Sequence, residues 1–285
     1  MRTFLRTIGH PQDKAKSNPD NKKTMNPKRV FAIAANVFKE TIRDRVLYVI
    51  LFFAVILLLG TRLLPEVAAG SSVKLILDAG LATISLFGLV VAVFVGTNLI
   101  NKEIEKRTIF VLIAKPLKRS ELLLGKHLGL GAVLAVLVGL MFLAFLLAIF
   151  VVIQVDPGFV PIQSMVGAVA LNYLELLVII AAALFFGTFT SSLMASVFTF
   201  SLYLIGHFSR DLLALGAIAK NENIAMLTRV VYTLLPDLER FNIRNESIYG
   251  SVPNLTELGV TVTLGILYIA LFMSGAVTIF SRREF

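Results

Sequence analysis

Cysteine is absent from the 285 residues, which excludes a disulfide framework, a thiolate metal site and a cysteine nucleophile. Charge is scarce too. Only 16% of residues are Asp, Glu, Lys or Arg, and 57% are apolar, whereas a soluble domain is about a quarter charged. The mean hydropathy of +0.84 excludes a soluble globule and a disordered chain. The three histidines, His10, His127 and His207, are too scattered for a metal cage, and the methionines show no paired thioethers, so no metal site is assigned. His-Glu-x-x-His and Gly-x-Ser-x-Gly do not occur, and no residue is assigned a catalytic role. A phosphate-binding loop is missing as well. Gly125-Lys126 is followed by His127, and Ser120 stands five residues before Gly125 where the motif needs glycine.

What is present is long apolar runs. A helix crossing the hydrocarbon needs roughly 20 apolar residues. Six runs qualify: Val46–Leu64, Leu75–Ile100, Leu128–Val155, Met165–Phe189, Ala195–Leu215 and Leu258–Phe280. The fourth and fifth are so close that they form a tight hairpin across Thr190 to Met194. The net charge of +9 would suggest nucleic acid in a soluble protein. Here 20 of the 27 Lys and Arg residues fall in residues 1–45, in loop 101–127 and in the C-terminal tail. With an even number of spans, that asymmetry places both termini and loop 101–127 in the cytoplasm. The basic excess is a topology signal and an attraction to anionic lipid, and no nucleic-acid partner is assigned.

Residues 1–27 are polar, contain Pro11, Pro19 and Pro27, and read as a disordered extension, with Met25 as an alternative start. Between Lys28 and Arg45, the residues Val30, Ile33, Ala34, Val37, Phe38, Thr41 and Ile42 recur at helical spacing. This is an interfacial amphipathic helix or, more plainly, the beginning of the first span. The apolar block Ala225–Leu235 is too short to span, and Pro236 should stop it. It reads either as a re-entrant helix before the last span or as an ordinary extracytoplasmic cap. The fold class is therefore all-α integral membrane, a six-transmembrane-helix bundle with these two additions.

Polar groups inside spans are costly and mark the bundle interior. Glu175, with Asn172 and Tyr173 beside it, is either a contact on a translocation path or a group near the outer helix end that reaches water. His207, Arg210 and Asp211 cluster near the far end of the fifth span, where Arg210 and Asp211 either pair with other groups or, as the favoured reading, mark its exit from lipid. Gly125 and Gly129, Gly187 and Ser191, and Ser274-Gly275 are weak packing seams.

Loop 101–127 carries the strongest signal. Glu103 and Glu105 are followed by Arg107, Thr108, the apolar block Ile109–Ala114, Pro116, Arg119, Glu121-Leu122 and Gly125-Lys126. Ser120 is placed to cap the helix that enters the third span. The whole arrangement resembles the ABC-2 type transporter permeases. Arg107, where many members have glycine, and the tail Arg282-Arg283-Glu284-Phe285 are similar to the branch associated with multicopper-enzyme maturation. The resemblance covers residues 28–285, which then form one membrane domain.

It implies the permease subunit of an ATP-driven transporter, an exporter, in the inner (cytoplasmic) membrane. The partners implied are a cytoplasmic ABC ATPase, which would hold ATP and Mg, and a second permease subunit or a second copy of this chain. Loop 101–127 would then be the coupling element, through Glu103, Glu105, Arg107, Thr108, Pro116, Arg119, Glu121 and Lys126. The rival functions are a secondary transporter or channel, which needs several intramembrane ionisable groups, and a membrane scaffold that moves nothing.

Overall fold

The computed structural model describes residues 25–43, 72–105, 118–153, 159–218, 222–251 and 253–282, with seven separate positions between 48 and 60. No strand occurs among the described residues. The helices are α1 (Pro27–Thr41), α2 (Ser72–Glu105), α3 (Arg119–Ile153), α4 (Ile162–Gly187), α5 (Ser192–Ile218), α6 (Glu222–Leu234), α7 (Arg244–Ile248) and α8 (Leu255–Arg282), with a 3-10 turn at Glu239–Phe241. Five of them, α2, α3, α4, α5 and α8, are long and apolar enough to cross a membrane. The run Val46–Leu64 lies mostly outside the described residues.

Each of the five overlaps one of the expected apolar runs, although Arg119–Ile153 and Ile162–Gly187 stop two residues short of the C-terminal ends of theirs. The sequence places spans at Leu75–Ile100 and Leu128–Val155. The helices instead extend to Glu105 and begin at Arg119. At 1.5 Å per residue, α2 and α3 are each about 50 Å long, well beyond a hydrocarbon core of about 30 Å. Most of their charged residues gather at the end they share, toward Glu105 and Arg119. The α4–α5 hairpin is tight, turning through Thr188–Ser191.

Helix α4 is the centre of the bundle and packs against α2, α3, α5, α7 and α8. Its stretch Val178–Leu184 is entirely buried. Lipid tails are as apolar as leucine, so such packing is driven by close fit rather than by escape from water. The run Ala181-Ala182-Ala183 supplies the fit, because small side chains bring backbones together. At Gly96 of α2, an added Cβ would stand 3.0 Å from the Ala183 Cβ. A hydroxyl pair joins α2 to α5: Thr97 Oγ1 and Ser196 Oγ are 2.8 Å apart and both residues are buried.

Helix α1 is amphipathic, as its spacing requires. It starts in the way helix ends favour, with Asn26 at the N-cap and Pro27 in the first turn. Asn26 Oδ1 accepts the Lys28 N–H at 3.1 Å. Its buried face is Val30, Ala34 and Val37, and Phe31 points outward.

Around Pro236 the chain changes character, and helix α6 stops at Leu234, before the proline, as the sequence predicts. Ile224, Met226, Leu227 and Val230 of α6 are exposed. The polar stretch that follows is the part that enters the bundle, with Asp237, Leu238, Phe241, Ser247 and Ile248 buried.

Candidate functional site

Two groups of residues stand out, one at each end of the bundle. The first lies where α1, the C-terminal part of α2, the N-terminal part of α3 and the C-terminal part of α8 meet. Glu121 is its hub. One carboxylate oxygen accepts the Asn26 backbone N–H at 2.8 Å, and the other accepts the Lys118 N–H at 3.4 Å. Arg29 lies 3.9 Å away. The side chain is 1% exposed, so these donors replace the water it gives up.

This arrangement corrects the expected cap. Ser120 was expected to cap α3. The helix begins at Arg119, two residues earlier than that cap would place it, and Glu121 at the third helical position reaches back to the N-cap N–H of Lys118. That is the acidic half of a capping box.

The same turn seats α1. A Cβ at Gly125 would meet the Ile33 side chain at 2.7 Å, and one at Gly129 would meet the Ala34 carbonyl oxygen at 2.7 Å. The two glycines, four residues apart, open a groove on α3 into which α1 fits. Lys126, 2% exposed, donates from Nζ to the Leu99 carbonyl near the end of α2. Arg119 donates to the Phe280 carbonyl of α8, with its guanidinium 5.6 Å from the Phe280 ring centre. Thus Arg119, Glu121 and Lys126 tie α1, α2, α3 and α8 into one collar. Glu103 and Glu105 lie in the last turns of α2. Arg107, Thr108 and Pro116 lie outside the described residues.

The second group lies between α4, α5 and the stretch after Pro236. Glu175, expected either to reach water at the outer helix end or to face the interior, is 4% exposed and faces the interior. Its Oε1 is 2.8 Å from His207 Nε2, and His207 Nδ1 is 2.8 Å from Glu239 Oε2. The Tyr203 ring meets the imidazole edge-on, centroids 4.4 Å apart. Outside the spans, burial pushes the Glu239 carboxyl up. The hydrogen bond to His207 and its charge, together with Asn242 and Arg210, bring it net below the usual carboxylate value.

Arg210, read from sequence as a marker of the lipid boundary, is an ion-pair partner instead. Its Nε is 3.0 Å from Asp237 Oδ2, and Arg240 approaches the same oxygen at 3.5 Å. Arg244 Nε is 2.8 Å from Asp78 Oδ1 of α2. Sequence proximity joins only Asp237 and Arg240; the other pairs span 27 or more residues. A cavity of about 50 Å³ opens beside these groups, lined by Ser85, Asn172, Glu175, His207, Asn242 and Arg244 among others. Asn172 Nδ2 is buried there without a hydrogen-bond partner among the described residues. The structure thus brings Asn172 and Glu175 to one cavity, and adds His207 and Glu239, which sequence spacing does not connect to them.

Long apolar helices around a packed α4, with ionisable groups confined to the interior and the ends, define a multi-pass α-helical membrane protein. The family described as ABC-2 family transporter protein matches residues 31–285, and the chain belongs to that family. It is accordingly a membrane permease component of an ABC transporter rather than its catalytic subunit. No curated protein matches the chain.

Proposed function

We propose that the chain is the membrane-spanning subunit of an ATP-driven exporter, worked by a separate cytoplasmic ABC ATPase that docks on residues 101–127. The observation that carries this is the collar at one end of the bundle, in a chain that belongs to the ABC-2 family over residues 31–285. Helices α2 and α3 project past the hydrocarbon, and the loop between them is the natural lever. Arg119, Glu121 and Lys126 join the root of that lever to α1, α2 and α8. A push on the loop is then shared by the bundle instead of bending one helix.

In this proposal Glu103, Glu105, Arg107, Thr108 and Pro116 belong to the docking surface, with Ile109–Ile113 as its apolar anchor. ATP and Mg belong to the partner, because this sequence has no phosphate-binding loop. One bundle supplies half a path, and a second copy or a paired permease supplies the rest. Glu175 and Asn172, at the inner cavity, are our candidates for the translocation path. The collar end faces the cytoplasm of the inner membrane.

A second function draws support from a specific observation. The Glu175–His207–Glu239 chain is the kind of intramembrane ionisable cluster that secondary transporters use. Affinity purification from native membranes separates the two. An ATPase with Walker motifs should co-purify with the wild-type chain, and Glu103→Lys combined with Glu105→Lys should abolish the association. Absence of any ATPase from the wild-type preparation would overturn the permease assignment. Association that survives the double change would overturn the docking residues.

A further inference from the structure

A carboxylate can only accept a hydrogen bond, and a neutral imidazole has one donor nitrogen and one acceptor nitrogen. Both nitrogens of His207 lie 2.8 Å from a carboxylate oxygen, one of Glu175 and one of Glu239. With both acids ionised and the ring neutral, one of these contacts would oppose two acceptors. The geometry is satisfied only by one additional proton shared among the three groups.

The charges around the triad point the same way. Asp237 is matched by Arg210 and Arg240, and Asp78 of α2 by Arg244 of α7. The Asp237 backbone N–H also points to the Tyr268 hydroxyl of α8, at 3.4 Å. On α5 itself, Tyr203 abuts the imidazole and Asp211 is exposed. From α4, only Glu175 reaches the ring. That leaves His207 as the direct ionisable partner of Glu175 and of Glu239, with Arg210 acting on Glu239 at longer range. Glu239 is 38% exposed on its side chain and also takes a bond from Asn242, so water and the amide support its charge. Glu175 is far more enclosed, with its side chain 6% exposed, and no amide donates to it among the described residues. A buried carboxylate in a membrane protein needs a cation or a proton beside it.

We propose that Glu175, His207 and Glu239 form a single-proton binding site that fastens the stretch 236–248 into the bundle between α4 and α5. The fastening is local. Leu238 N donates to the Gly206 carbonyl at 3.1 Å, one residue before His207. An added Cβ at Gly206 would stand 2.7 Å from Leu238 Cγ, so α5 has opened its surface to receive the stretch. Further along, Ser164 Oγ of α4 contacts the Ser247 carbonyl at 2.7 Å. Loss of the proton leaves Glu239 facing a neutral ring with its remaining N–H committed elsewhere, or leaves Glu175 charged and unmatched. Either outcome loosens the stretch where it lines the cavity. The site does not depend on the transport proposal, since it concerns this chain alone.

The natural absence of cysteine makes the test clean. Ser247→Cys places a thiol at a buried position of the stretch, and Ser251→Cys provides an exposed reference for the intrinsic pH dependence of the reagent. The full chain, without an ATPase, is held in lipid nanodiscs. Between about pH 6 and pH 10, labelling at position 247, relative to 251, should rise about tenfold or more as the stretch opens. Glu175→Gln should keep labelling low and abolish the rise, because a glutamine amide donates to the neutral ring and no proton is needed. Flat wild-type labelling overturns the site, as does a rise that Glu175→Gln leaves in place. NMR of the ring nitrogens and the Glu175 carboxyl gives an independent readout. A neutral ring beside an ionised Glu175 at pH 7 also overturns it. An ATPase-association result leaves this test unaffected, so the two proposals fail separately.

Discussion

Glu121 shows how one side chain can hold two helix starts at once. Its carboxylate takes the first backbone donor ahead of α1 and the N-cap donor of α3, and it is almost fully enclosed. Replacing it with alanine leaves both donors without that acceptor. Hydrogen bonds to a charged group contribute roughly 1.5–3 kcal/mol, while the half-exposed Arg29 adds little. Glu121→Ala should therefore lower thermal stability in detergent and expose the Asn26–Pro27 joint to proteolysis. Glu121→Gln, which keeps an acceptor oxygen but not the charge, should fall between. Unchanged melting in both variants would show that the enclosure, not the bonding, holds α1. Sequence reading singled out Glu121 through its motif, but not its partner. Asn26 is 95 residues away, and no local periodicity encodes that distance. Glu175 was legible as a charge in an apolar run, whereas its partner His207 was read as part of a helix exit for the same reason.

At the scale of elements, the amphipathic pattern between residues 28 and 45 defines α1, and the Gly125/Gly129 spacing defines a seam on α3. Neither feature says that one fits the other. Small residues four apart are common by chance, so only the tertiary contact gives this pair meaning. The groove supports a contrast between glycines. At Gly129 a Cβ would stand 2.7 Å from a backbone carbonyl, which cannot swing aside as a flexible side chain does. At Gly139 of the same helix a Cβ would meet nothing within 4 Å. Gly129→Ala should displace α1 and cost about 1–3 kcal/mol through overpacking. Gly139→Ala should be neutral or stabilising by up to about 1 kcal/mol, from helix propensity alone. Thermal melts of the two variants side by side check this, and equal shifts would mean that α1 is not seated on Gly129. The stretch after Pro236 was the element least legible in sequence. Its polar residues resemble a solvated loop, and its burial depends on Asp78, Glu175, His207 and Arg210, which come from three other helices. The neighbouring apolar block stands out by composition, yet its Met226, Leu227 and Val230 are exposed.

For the whole molecule, the expected orientation rests on how Lys and Arg are distributed between the two ends. At the end opposite the collar, the cations Arg210, Arg240 and Arg244 are each held by an aspartate, and Lys74 stands 4.5 Å over the Tyr249 ring. They are outnumbered by the cations of the basic collar end, where Lys28, Lys39 and Arg43 lie exposed on or beside α1. The inside rule counts Lys and Arg regardless of pairing, but local neutralisation sharpens the asymmetry in the field that lipid headgroups feel. A native chain without cysteine lets single thiols report the side directly. Lys28→Cys marks the collar end and Ser251→Cys the opposite one, both at exposed positions. A membrane-impermeant maleimide applied to intact cells should label Ser251→Cys and leave Lys28→Cys unmodified, and inverted vesicles should reverse the pattern. Labelling of Lys28→Cys from outside would put the collar beyond the reach of any cytoplasmic ATPase. Loop 101–127 would then lose its role as the lever, although the packing of α1 on α3 would stand.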